Sequence, residues 1–352
     1  MPVEERGHAG GGARLTAERG PGPGIAEVGE WVRGRSGLDS LPAHLRDRYG
    51  VEVTGVSQLD VGVLRVDRSD GPSWVVRVFP SARPLAEVEG DARILRGLER
   101  GGFPAERCAV PDPVSVLEGQ GVLVTLLVSG EWARQSGRTF GVLGELLGRL
   151  HASSESMLAG LRPGGAWHHL CLAGGPGDEM SAALRLLDEC GARLSGRDLS
   201  LLHRLREALE TGDGCEGLPE ALLHPDFVPA NALVGAGGHL TLVDWTGAGR
   251  GPRLWSLAFL LRAAGAWSVR YVDPVVTHYA RHVRLRPDEL SRLGAAVRSR
   301  SLVLDAWAVS LGRRPLDEVV AQLPAKLASA DAAAARAVQL LEGDLEAPAP
   351  KA

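Results

Sequence analysis

The chain has 352 residues, enough for two domains or one two-lobed unit with a substantial core. Hydrophobic residues make up 44% and charged residues 23%, the balance of a soluble globular protein. The formal net charge of -4 excludes a nucleic-acid binder built on bulk positive charge.

Residues 1–24 are Gly, Pro and charge with no apolar core of a secretory leader. No run approaches the roughly 18 apolar residues that a membrane span needs. Cys108, Cys171, Cys190 and Cys215 are irregularly spaced, which points to free, mostly buried thiols of a cytoplasmic protein rather than a disulfide frame or a zinc site. Segments 1–24 and 343–352 have little to bury and read as disordered tails.

After an amphipathic segment at Leu41–Tyr49, the runs Val51–Val56, Gly62–Asp67 and Trp74–Phe79 are short and β-branched. The turn signal Ser69-Asp70-Gly71-Pro72 separates the last two, so the region reads as an antiparallel meander. Pro84–Arg100 carries Leu85, Val88, Ala92, Leu95 and Leu98 at helical spacing and stops at Gly101-Gly102. Val114–Leu117 and Gly121–Val128 add two strands, ending in an expected hinge at Thr125–Val128.

Beyond Glu131 the pattern turns helical. The expected helices are Phe140–His151, Met180–Cys190, Leu199–Leu209, Trp255–Ala264, Ser268–His282, Pro287–Trp307, Pro315–Ala328 and Ala332–Glu342. Asn231–Asp244 is the exception, two short apolar runs about Gly235-Ala236-Gly237-Gly238 that signal a hairpin. The expected class is therefore α+β. A small β-rich lobe with one helix (25–128) precedes a larger, mostly helical lobe (129–342).

The chemistry concentrates in Leu222–Ala248. Asp226, Asn231 and Asp244 are polar where apolar neighbours would bury them, and the hairpin brings Asn231 and Asp244 side by side. Asp226 lies five residues before Asn231, across a loop that can fold back over the same spot. Two carboxylates and an amide converging at a strand mouth suit a hard divalent cation such as Mg²⁺, which completes its shell with water and phosphate oxygens. With the metal on Asn231 and Asp244, Asp226 is left to accept a proton from an attacking hydroxyl, the division of labour of phosphoryl transfer.

The spacing His224-x-Asp226-x-x-x-x-Asn231, followed by Val243-Asp244-Trp245, resembles the aminoglycoside/choline phosphotransferase family, whose run is close to H-G-D-x-x-x-x-N-x-L and then I-D-W. Leu147-Gly148-Arg149-Leu150-His151 is similar to the L-G-x-L-H helix end of that family. The resemblance covers roughly residues 50–310 and implies a protein-kinase-like fold. It implies transfer of the γ-phosphoryl of ATP or GTP to a hydroxyl of a small acceptor, an aminoglycoside-like molecule or an amino alcohol. It further implies Asp226 as catalytic base, Asn231 and Asp244 as Mg²⁺ ligands, and His224 as a brace of the loop. The partners so implied are a nucleotide and a small molecule, with no nucleic acid and no membrane.

Two features depart from the pattern. The third strand of such folds carries a phosphate-holding Lys paired to a carboxylate of the next helix. Here the strand offers Arg77, not geometrically interchangeable with Lys, and the helix offers Asp91 or, one register away, Glu89. Between Leu59 and Val66 only Gly62 could serve a phosphate-covering loop. These departures keep open a catalytically weak or inactive, nucleotide-binding scaffold, and an enzyme of unrelated fold whose Asp-Asn-Asp cluster holds a metal for hydrolysis is a third reading.

Other motifs are weaker. His278-x-x-x-His282 lacks a third ligand, His168-His169 has no context, and Ser153, Ser154 and Ser156 lack a G-x-S-x-G elbow. Trp255, Trp267 and Trp307 are candidates for a substrate pocket, although helix-spaced aromatics are more often core. Asp178, Glu179, Asp188 and Glu189 are candidate contacts for a cationic acceptor, with a solvated face as the plainer reading.

Overall fold

The computed structural model describes residues 24–26, 28–29, 35–152, 160–166 and 174–346, with side chains as far as residue 342. The expectations for residues 1–23 and 347–352, for Ser153, Ser154, Ser156 and His168-His169, and for Cys171 lie outside the described residues. Cys108, Cys190 and Cys215 are free thiols. Burial pushes the Cys108 thiol up to about 11 and that of Cys215 higher still.

The N-terminal half begins with α1 (Leu41–Tyr49), ended by Gly50 in the left-handed region. Then come β1 (Val53–Asp60), β2 (Val63–Arg68), β3 (Trp74–Val78), α2 (Leu85–Arg100), β4 (Val114–Leu117) and β5 (Gln120–Leu126). They form one antiparallel sheet in the order β1-β2-β3-β5-β4. Strand alternation sorts its faces. Trp74, Val76, Val78, Val122 and Val124 pack with Leu41 and Leu45 of α1. Phe79 and Leu123 join Val88, Ala92, Leu95 and Leu98 of α2 on the other side. The same alternation sends the Arg77 and Thr125 side chains toward that second face, the one that meets the rest of the molecule.

The C-terminal half holds β6 (Glu131–Trp132), α3 (Gly137–His151), α4 (Pro176–Gly191), α5 (Gly196–Glu210), β7 (Glu220–Leu223), β8 (Ala232–Val234), β9 (Leu240–Leu242) and β10 (Gly249–Pro252). Four helices follow: α6 (Arg253–Trp267), α7 (Val272–Tyr279), α8 (Pro287–Ser310) and α9 (Leu316–Glu346). The expected hairpin is β8–β9, extended by β6, and β7 pairs with β10. Strands β6, β7 and β10 were not expected, because two to four residues are too few for a period-2 pattern to register.

The two helices expected at 315–328 and 332–342 are one, α9, which holds Pro324 in its interior and runs four residues into the segment read as a tail. Proline removes one intrahelical hydrogen bond, and the apolar stripe of Ala330, Ala333, Ala334 and Ala337 in the core outweighs that cost. Helix α6 buries Leu254, Trp255, Leu257, Ala258, Leu260, Leu261 and Ala264, which leaves it apolar on most sides at the centre of the half.

The L-G-x-L-H segment works as a packing device. A Cβ on Gly144 would stand 2.4 Å from the Val275 carbonyl oxygen, and one on Gly148 would stand 2.9 Å from that of Tyr279. Both glycines therefore let α7 lie directly on α3, where His151 Nδ1 meets the Tyr279 hydroxyl at 2.9 Å. Among the described residues no helix is long and apolar enough to cross a membrane.

Candidate active site

The loop between β7 and β8 carries Asp226 and Asn231, and the chain leaving β9 carries Asp244. His224 braces the two. Its Nδ1 accepts the Asp226 backbone N–H at 3.0 Å, so the proton sits on Nε2, which donates to the Val243 carbonyl at 3.0 Å. Burial holds this imidazole down at about 4, with Val243 and Asp226 opposing, so it stays neutral and keeps both bonds. Trp245 packs edge-on against it with ring centroids 4.6 Å apart.

Asn231 Nδ2 donates to the Asp226 carbonyl at 3.0 Å, which orients the amide and leaves its oxygen lone pairs open to a cation. The Val243 N–H donates to the Asn231 carbonyl at 3.0 Å, so Asn231 and Asp244 stand together as the hairpin required. Asp244 adopts φ 64°, unusual for a residue with a Cβ. What holds it there is Glu106. Glu106 Oε1 accepts the Asp244 N–H at 2.8 Å and the Trp245 N–H at 3.4 Å. Partial burial pushes the Asp244 carboxyl up although 44% of its side chain is open; Arg77 opposes the shift, and Glu106 and Asp226 add to it.

Glu106 is reached through the segment after α2, where residues 104–106 run alongside β9. The Glu106 N–H donates to the Leu242 carbonyl at 2.9 Å and the Leu242 N–H to that of Pro104 at 2.8 Å. Glu106 is also the partner of Arg77, at 2.8 Å (Nη1) and 3.0 Å (Nη2), and accepts from the Thr125 hydroxyl at 3.0 Å. Arg77 is 7% exposed. Burial works against its charge, but Glu106 and Asp244 hold it above its ordinary value. Its Nε has no hydrogen-bond partner and lies 3.8 Å from Asp244 Oδ1.

The expected pairing of Arg77 with the following helix is therefore corrected. Asp91 is buried on α2, but it takes Arg83 at 2.7 Å, Arg162, and the Gly247 N–H at 3.2 Å. Glu89 is exposed and lines an outer groove of about 380 Å³ with His44, Arg48, Arg96 and Asp112. Arg77 is instead saturated on one edge by Glu106, a residue that spacing along the chain gives no reason to select.

Asp226 presents its side chain at the same mouth. Its Oδ1 accepts from Arg300 Nη2 of α8 at 2.8 Å. The expected acidic contacts of the helical half are spoken for: Asp178 caps α4 through the Gly175 N–H, Glu179 pairs with Arg300, Asp188 pairs with Arg206, and Glu189 accepts the Ile25 N–H. Trp255 and Trp307 are buried in the core and Trp267 is 65% exposed. His278 bonds the Pro274 carbonyl, and His282 bonds Glu145.

Among the described residues no group of three or more His, Cys, Asp or Glu side chains forms a ready-made metal cage. What is present is one carboxylate, Asp244, and one free amide oxygen, Asn231. That hard-oxygen pair fits Mg²⁺, which is commonly held by one or two protein oxygens with phosphates and water supplying the rest.

Comparison with known proteins sets this geometry in context. Residues 55–292 match the model of the phosphotransferase enzyme family, APH. Among solved structures, an aminoglycoside phosphotransferase from Alicyclobacillus acidocaldarius is similar at TM-score 0.61 and 17% identity, over 89% of this chain and 99% of that one. An amicoumacin kinase in complex with AMP-PNP, Ca²⁺ and Ami gives TM-score 0.62 at 13% identity over 84% and 93%. The choline kinase LicA from Streptococcus pneumoniae gives 0.55 at 14% over 87% and 98%. At these identities the likeness is one of fold, and it is the kinase-like fold expected from the sequence. No curated protein matches the sequence.

Proposed function

Because the chain belongs to the phosphotransferase enzyme family, APH, we propose that it transfers the γ-phosphoryl group of ATP or GTP to a hydroxyl of a small-molecule acceptor. The observation that carries this reading is the convergence of Asp226, Asn231 and Asp244 on one mouth, with each held by a named partner.

In the proposed reaction the acceptor hydroxyl meets Asp226, which takes its proton as the oxygen bonds to the γ-phosphorus and the bond to the departing nucleoside diphosphate breaks. Asn231 through its amide oxygen and Asp244 through its carboxylate would hold Mg²⁺. When bound there, the ion supplies positive charge against the phosphate oxygens. Arg77, its Nη groups held by Glu106, adds positive charge beside Asp244 through Nε, 3.8 Å from Asp244 Oδ1. His224 keeps the loop in register. Asp91 pairs directly with Arg83 and Arg162 rather than with Arg77, and adds to the charge of Arg77 only at a distance.

Solved relatives described as aminoglycoside phosphotransferase, choline kinase and amicoumacin kinase make hydroxyl-bearing antibiotics and amino alcohols the acceptors to screen first. The proposed setting is the cytoplasm, where nucleoside triphosphates are abundant. The test is release of ADP or GDP across such a panel, with Asp226→Ala as the blank; no release above the blank would sink the reading.

Two observations favour a second reading, a nucleotide-binding scaffold with little turnover. Arg77 has both Nη groups committed to Glu106, and the β1–β2 turn has a single glycine, Gly62 at φ 70°. A nucleotide-dependent rise in stability with no diphosphate release would select it.

A further inference from the structure

Asp226 does not stand alone. Arg300 donates from Nη2 to Asp226 Oδ1 at 2.8 Å and from Nη1 to Glu179 Oε2 at 2.6 Å. Arg300 is 1% exposed and Glu179 not at all, whereas the Asp226 side chain keeps 28% of its surface open. The guanidinium also lies over the Phe259 ring, 5.1 Å from its centroid. Three helices thus fix the fork before it reaches the loop: α8 supplies it, α4 pairs it and α6 stacks it.

Stability alone does not account for this arrangement. Removing the Glu179 and Arg300 charges from water is costly, and buried ion pairs exchanged for well-packed apolar side chains are often no less stable. What the row does provide is direction. A carboxylate on a surface loop turns freely about its last bond and presents either oxygen. With Oδ1 held by a planar, immobilised donor, Oδ2 is the oxygen left for a ligand.

We infer that Glu179 and Arg300 are positioning residues that fix which oxygen of Asp226 meets the acceptor hydroxyl. The inference rests on the phosphotransferase reading above and extends it. Neither residue touches the reacting atoms; Arg300 acts through Asp226, and Glu179 acts through Arg300. A misplacement of the base by about 1 Å is enough to cost about 100-fold in rate.

The test uses the full chain and three variants: Arg300→Lys, Arg300→Met with Glu179→Leu, and Asp226→Ala. Diphosphate release from Mg·ATP and Mg·GTP is followed with choline, with kanamycin and with water alone, alongside melting temperature and titrated nucleotide sites. The paired variant removes both buried charges together. It should melt near the wild type and keep its nucleotide KM within about twofold, while kcat falls about 10- to 100-fold. Arg300→Lys, which keeps the charge without the fork, should lie between the two.

Wild-type kcat in the paired variant would overturn the inference. So would a kcat loss matched by an equal loss of nucleotide sites, which would mean misfolding rather than misdirection. If the wild type releases no diphosphate above Asp226→Ala in any arm, the phosphotransferase reading itself fails and the inference falls with it. The wild-type arm thereby tells the two failures apart.

Discussion

Two buried acids of the N-terminal half, Glu106 and Asp91, reach across to the same short segment of the C-terminal half. Glu106 accepts the N–H of Asp244, and Asp91 accepts that of Gly247 three residues on. Each also neutralises arginine: Arg77 for Glu106, and Arg83 with Arg162 for Asp91. The difference lies in what else they touch. Glu106 accepts the Asp244 N–H and also contacts β5 through Thr125. Asp91 staples α2 to the segment beyond the site, and Arg162 ties the same place to Glu87 at 2.5 Å. One acid shapes the backbone at Asp244, the carboxylate proposed for the metal, and the other ties α2 to the segment beyond it.

That contrast can be broken in order of expected effect. The reference point is Asp226→Ala, which should keep nucleotide affinity and lose about 10²- to 10⁴-fold in turnover, read by diphosphate release. Glu106→Ala leaves Arg77 charged and unpaired in the core. It should cost about 3–5 kcal/mol of stability in urea titrations and also abolish Mg²⁺-dependent nucleotide binding, because Asp244 loses its backbone anchor. Asp91→Asn keeps an acceptor for Gly247 but removes a charge from Arg83 and Arg162. A loss of about 1–3 kcal/mol is expected, with nucleotide binding weakened less than in Glu106→Ala. Equal losses of binding in the two variants would erase the distinction.

A smaller effect concerns pH. Burial, aided by Arg253, holds the His151 imidazole down at about 3, against 6.5 for the free group. In the folded protein it stays neutral while the unfolded chain takes up a proton, so its contribution is present above pH 6.5 and drains away as pH falls toward 3. The slope is about 1.4 kcal/mol per pH unit at most, and His151→Gln should flatten the stability profile by that amount between pH 6 and 4 relative to the wild type. Parallel profiles would contradict the neutral assignment. Least of all, Arg206→Ala, which breaks exposed pairs with Asp188 and Glu210, should leave the melting temperature where it is in the wild type.

The same contrast explains what could be read from the sequence. Asp226, Asn231 and Asp244 lie within one loop and one hairpin, so spacing brought them together, and His224 joined them through the family resemblance. The partners that hold them are distant: Glu106 is 138 positions from Asp244, Arg300 is 74 from Asp226, and Glu179 is 121 from Arg300. Nothing local marks those three among the other charged residues. The meander and most helices followed from periodicity, whereas β6, β7 and β10 exist only because a neighbouring segment supplies hydrogen bonds.

The central claim is that Asn231 and Asp244 form the metal side of a nucleotide site. The most direct measurement is thermal stability of the wild type and Asp244→Ala with ATP and with GTP, each with and without Mg²⁺. At 100 times its Kd a nucleotide should add about 2.7 kcal/mol to wild-type stability. The account predicts a gain that requires Mg²⁺ and disappears in Asp244→Ala. A gain of equal size without Mg²⁺, or one retained in the variant, would contradict it.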